Sequence, residues 1–207
     1  MISMLTAAPA FSVRTRADEA REAKAAAMPS ADDARRSTQD QQKALAARRM
    51  QAVLERFKAL KLTIKMDPKA ALRMATDMAK ELKAAVKAYQ QAGGRNVSMG
   101  EFAMIRRQAA DAAKAQETQA DAAQADAQAK AAERLAQAET DALGDMGFFD
   151  LVKSAIGALR DAHDKIRAQT PQSLSNPDED DWKAAEKAQS ELEKAVAFAA
   201  AGVSIRV

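Results

Sequence analysis

The chain has 207 residues, with one His, one Trp, one Tyr, six Phe and no Cys, and a formal net charge of +3. Without Cys there is no disulfide or thiol chemistry, and one His cannot build a zinc site. Alanine alone supplies 53 residues, while Leu, Ile, Val and Phe together supply 33, so most of the 47% hydrophobic content is methyl groups that favour helix more than burial.

Residues Met1 to Val13 (MISMLTAAPAFSV) lack a basic start and carry Pro9 early, which points to a tail more than to an export signal. Residues 14 to 43 are polar, with Met28 as the one large apolar side chain. Such a stretch cannot bury enough surface to offset chain entropy, so residues 1–43 are expected to be largely disordered.

The first predicted helix covers Ala44 to Lys65. Met50, Val53, Leu54, Phe57, Leu60 and Ile64 recur at steps of three and four and form one stripe. Asp67-Pro68 ends it and opens the next helix, with Asp as cap and Pro at the first position. The second, Pro68 to Ala92, carries a heptad seam of Leu72, Ala75, Ala79, Leu82, Val86 and Tyr89, and Gly93-Gly94 stops it. The short gap between the two predicts an antiparallel hairpin over residues 44–92.

Ser98 and Glu101 have the spacing of a capping box, flanked by Val97 and Phe102 at staple positions. No Gly or Pro follows Gly100 until Gly144, which predicts one long alanine-rich helix over residues 98–143. Its stripe is almost wholly alanine: Ala109, Ala113, Ala120, Ala123, Ala127, Ala131, Leu135, Ala138 and Ala142. Ala109, Ala120, Ala131 and Ala142 recur by elevens, a period that suits nearly straight packing, although so much alanine also yields such spacings by chance.

Leu143 to Gly147 reads as a break. A helix from Phe148 to Ala168 follows, with a stripe of Phe148, Val152, Ala155, Ile156, Leu159 and Ile166. A loop, Thr170 to Pro177, leads to a last helix with Asn176 as its expected cap and Trp182, Ala185, Ala188, Leu192, Val196 and Ala199 on its stripe. The tail, residues 202–207, reads as extended and could pair with Phe11 to Arg14.

The fold expected is therefore all-α: an antiparallel helical bundle or coiled coil of about five helices over residues 44–207. The helix seam expected to pack comprises Leu72, Ala75, Ala79, Leu82, Val86, Tyr89, Ala120, Ala127, Ala131 and Leu135.

Charge is uneven. Residues 1–66 hold 13 basic and 7 acidic side chains, whereas residues 98–207 hold 13 basic and 19 acidic. The densest basic stretch runs from Lys43 to Arg73, and within it Arg48, Arg49, Arg56, Lys58, Lys61, Lys65, Lys69 and Arg73 are the candidate contacts for an acidic partner, whether nucleic acid or anionic lipid. Only Phe57 interleaves them, and it lies on the apolar stripe, so a solvated face is the simpler reading.

His163 lies between Asp161 and Asp164 with no nucleophile at a supporting spacing, and is expected on an exposed polar face. Asp178 to Asp181 complement a helix start and do not match a calcium loop. No catalytic, cofactor or metal residue emerges. The function expected is non-enzymatic: a cytoplasmic scaffold, adaptor or chaperone-like chain acting through protein contacts and self-association, since a small core favours burial between copies. Binding of nucleic acid or an anionic surface is the alternative, as is export without a cleaved signal.

Overall fold

A computed structural model of the chain describes residues 31–117, 122–170 and 175–200, with side chains masked at 116–125. Five helices account for nearly all of them, and no strand occurs among the described residues: α1 (Ala31–Met66), α2 (Pro68–Gln91), α3 (Met99–Glu117), α4 (Ala122–Gln169) and α5 (Glu179–Ala200). Residues 1–38 and 39–207 form two separate units. Of the first, only the opening turns of α1 are described; the packing below belongs to the second. The expected pairing of residues 11–14 with the tail falls outside the described residues.

The helix boundaries follow local chemistry. Asp67 is extended at φ −146°, and its carboxylate accepts from the Ala70 N–H at 3.0 Å, with Pro68 next in the first turn. At the other end of α2, Gly93 takes φ +87°, and the Gly94 N–H donates to the Tyr89 carbonyl at 2.9 Å. Ser98 and Glu101 form the expected reciprocal cap, Ser98 N–H to Glu101 Oε2 and Glu101 N–H to Ser98 Oγ, both 3.2 Å.

Ion pairs show the helix directions. Arg56 of α1 meets Glu81 of α2, so those helices run antiparallel as consecutive hairpin partners. Lys69, Arg73 and Lys83 of α2 meet Asp178, Asp181 and Glu191 at the start and middle of α5, in rising order, so α2 and α5 run parallel. Arg160 and Arg167 of α4 meet Glu193 and Glu186, so α4 opposes α5. Together α1, α2, α5 and the second half of α4 enclose one core. Its largest buried side chains are Phe149, Met50, Leu60, Leu72, Met78, Leu82, Leu159, Ile166 and Leu192.

The α2–α5 contact is the most extensive between any two helices. Ala71, Ala75 and Ala79 on α2, and Ala185, Ala188, Ala195 and Ala199 on α5, are all buried, and side chains this small let helix backbones approach. The large residues are few but concentrated, and alanine fills the gaps between them.

Four expectations are corrected. First, residues 98–143 are not one helix. α3 ends at Glu117, and the N-terminal half of α4 returns antiparallel beside it, with Arg106 meeting Glu139. Residues 118–121 (Thr-Gln-Ala-Asp) hold no Gly or Pro, so the one sequence mark of a new helix is Asp121, a residue of capping type just before Ala122. Second, α4 continues through Gly144 and Gly147. Two helical glycines cost about 1 kcal/mol each, which burial of Phe148, Phe149 and Val152 just beyond them outweighs. Third, α1 begins at Ala31, thirteen residues before the expected start, with Asp32 and Asp33 in its first turn, where the helix dipole favours them; the disorder expected of residues 1–30 falls outside the described residues. Fourth, Asp178, not Asn176, caps α5: its carboxylate accepts from the Asp181 N–H at 2.9 Å.

Candidate interaction surfaces

The eight basic candidates divide into two groups. Arg56 is matched by Glu81, Lys69 by Asp178 and Asp181, and Arg73 by Asp181. These three help to join helices within the chain. Arg48, Arg49, Lys58, Lys61 and Lys65 are exposed on α1 and make no ion pair among the described residues. The basic surface is thus shorter than the sequence stretch and confined to one helix.

The seam candidates divide as well. Leu72, Ala75, Ala79, Leu82, Val86 and Tyr89 are all buried in the core. Leu135 is half-buried against α3, whereas Ala127 and Ala131 are exposed and Ala120 lies outside the described residues. Along α4 the inward line runs through Ala132, Leu135, Ala138, Ala142 and Asp145, and on α3 through Phe102, Ile105, Ala109 and Ala112. Steps of three and four replace the eleven-residue period, and Ala113 points outward.

Sequence reasoning missed the most elaborate polar cluster. Asp145, buried in α4, accepts from Lys43 Nζ at 3.0 Å and Tyr89 Oη at 2.9 Å on one oxygen. Its other oxygen accepts from the Arg95 N–H at 2.8 Å. One carboxylate therefore ties α1, α2, the α2–α3 loop and α4. The Tyr89 ring stacks on Phe148 with centroids 3.8 Å apart and meets Phe149 edge-on at 6.0 Å. Burial, with the neighbouring Asp145 charge, raises the Tyr89 phenol and keeps it protonated. Every oxygen here has its donor, so the arrangement is a satisfied structural network with no vacant position for a substrate. The only sequence signal was an acidic residue between two glycines in an otherwise apolar stretch.

His163 is not on an exposed face as expected. It is half-buried between α4 and α5, edge-on to Trp182 at 6.4 Å, and its Nε2 makes no hydrogen bond. Burial lowers its pKa, against opposing pulls from Gln189, Asp164 and Glu186.

Large apolar side chains remain outside the core. On α1, Leu45, Leu62 and Met66 are 55%, 66% and 83% exposed. Met99, Met104 and Leu143 are exposed at the root of the α3–α4 hairpin. No helix is long and apolar enough to cross a membrane, and no His, Cys, Asp and Glu cluster fit for a metal occurs among the described residues. No protein family matches the chain, and no curated protein or solved structure does so either.

Proposed function

We propose that this chain is a non-enzymatic helical scaffold or adaptor, with a chaperone-like manner of working, that acts through protein contacts and associates with itself. The observation that carries this reading is the exposed apolar line on α1, away from the core that the same helix helps to build. A helix with a buried stripe on one side and large apolar groups on the other has a second face suited to another helix. Because the reading involves no membrane insertion, a cytoplasmic location goes with it, and cell fractionation tests that part. Light scattering on the purified chain should give a mass above the 22.2 kDa of one copy. A monomer at every concentration up to the order of 100 μM would overturn self-association.

A second reading rests on a separate observation: Arg48, Arg49, Lys58, Lys61 and Lys65 are exposed on one helix. They would hold nucleic acid or an anionic lipid surface mainly by charge. Binding should then fall steeply with added salt, and charge reversal at Lys58, Lys61 and Lys65 should abolish it. No binding to DNA, RNA or anionic vesicles at low salt would remove this reading.

A further inference from the structure

The outward side of α1 has its own heptad. Leu45, Ala52, Ala59 and Met66 are spaced by sevens, and Arg48, Glu55 and Leu62 fall between them, again by sevens. All seven are exposed. The core-facing residues Met50, Val53, Phe57, Leu60 and Ile64 occupy the opposite side of the same helix, so this is a second seam. It has apolar groups at its two ends, alanine in the middle, and one positive and one negative residue between.

That order is self-complementary in one direction only. In a parallel pair of α1 helices, Arg48 would face Arg48 and Glu55 would face Glu55. In an antiparallel pair, the register that sets Leu45 of one copy against Leu62 of the other does so twice. It also sets Ala52 beside Glu55 and Ala59 beside Arg48. Arg48 of each copy then lies about one turn from Glu55 of the second copy, within reach of its long side chain. Lys58 and Lys65, on one flank, come beside Gln51 and Ala44 of the second copy, so no like charges meet there. On the other flank, Arg56 comes beside Arg49 of the second copy, the one place where like charges meet, and Glu81 of its own chain already neutralises Arg56 there.

We infer that the outward face of α1 between Leu45 and Met66 is a dimerisation surface whose occupant is a second copy of this chain, with its α1 helix antiparallel across a two-fold axis. The inference rests on the self-association proposed above and names its surface and geometry. A two-helix contact about 30 Å long lies at the small end of specific interfaces, so the dimer forms at micromolar chain concentrations.

The absence of native Cys makes the geometry directly readable. Leu45→Cys and Leu62→Cys are each prepared in the full-length chain, one with a tag that distinguishes it by size. Under mild oxidation, the mixture should form the mixed disulfide dimer, while either variant alone should form little. Antiparallel pairing holds like positions about 25 Å apart along the axis. Self-cross-linking of each variant as fast as the mixture would show parallel pairing and overturn the inference. Leu62→Glu should give a monomer by light scattering with unchanged helical circular dichroism. Arg48→Glu should weaken the dimer at least tenfold, and Arg48→Glu/Glu55→Arg together should restore it. A dimer that persists in Leu62→Glu and gives no mixed disulfide lies on another surface, which overturns this inference and leaves self-association standing. A native chain that is monomeric at every concentration overturns both.

Discussion

At the scale of single residues, Asp145 and His163 carry the sharpest consequences. Replacing Asp145 by Ala strands the Lys43 ammonium, the Tyr89 hydroxyl and the Arg95 N–H at once. Removing one partner from a buried charged network costs about 3 kcal/mol. Asp145→Ala should therefore lower the unfolding midpoint by roughly 6–12 °C in calorimetry. Tyr89→Phe removes one hydroxyl and keeps the ring stack, so it should cost about 1 kcal/mol. Equal losses in the two variants would mean that the Tyr89 hydroxyl bond carries nearly all that Asp145 contributes.

His163 gives a pH dependence with a definite sign. Its folded pKa lies below the 6.5 of an ordinary imidazole, mainly because burial disfavours the charged form. Between those two values the unfolded chain binds more protons than the native one, so stability falls as pH drops below 6.5. At neutral pH the group costs nothing. It is the only histidine, and Asp67, Asp178, Glu191 and Glu193, whose pKa values are lowered by hydrogen bonds, lose their contribution only at more acidic pH. Denaturant midpoints should therefore decline from pH 7.5 to 5.5 in the native chain and stay level in His163→Gln. The same decline in both would exclude His163 as the cause.

At the scale of elements, the glycines separate two meanings of one residue. Gly144 and Gly147 are exposed within α4, and a Cβ at either would meet nothing within 4 Å. Alanine there should stabilise by about 1 kcal/mol each, read as a rise of a few degrees in the unfolding midpoint. Gly94 is the opposite case. A Cβ there would overlap the Tyr89 ring and lie 2.8 Å from the Tyr89 carbonyl oxygen. Gly94→Ala should destabilise by about 1–3 kcal/mol by pushing on the ring that holds Asp145. The same contrast explains what the sequence concealed. Pro68 and Gly93 act through local backbone geometry, so both ends of α2 were legible. Gly144 and Gly147 looked like a break because their propensity is visible locally, while the burial of Phe148 and Phe149 that overrides it is tertiary. The reversal after Glu117 has only Asp121 as a local marker, one acidic residue among many, and a run of alanine predicts helix on either side of it equally well. Asp145 could not be read as a hub, because its three donors come from α1, α2 and the α2–α3 loop, remote in sequence.

At the scale of the whole molecule, large apolar side chains are unevenly placed. The enclosed core draws on Phe149, Leu72, Leu82, Leu159 and Leu192, whereas the α3–α4 hairpin is closed mainly by Ala109, Ala112, Ala132, Ala138 and Ala142, with Phe102, Ile105 and Leu135 as its larger contributors. Alanine buries little apolar area per residue, so this hairpin gains less from packing than the core does. Its described middle also depends on surface pairs such as Arg106 with Glu139, which contribute little in water. The hairpin should therefore open locally without unfolding the rest. Native-state hydrogen exchange should show amides of residues 106–115 and 126–138 exchanging at least tenfold faster than those of residues 72–88, with the boundary near Ala142 and Asp145, where the carboxylate network begins. Leu135→Ala should speed exchange in the hairpin and leave the protection of α2 unchanged, because the two regions share no large side chain across that boundary. Uniform protection from α2 through residue 115 would instead make hairpin and core a single cooperative unit, and would require a stabilising contact beyond those within one chain.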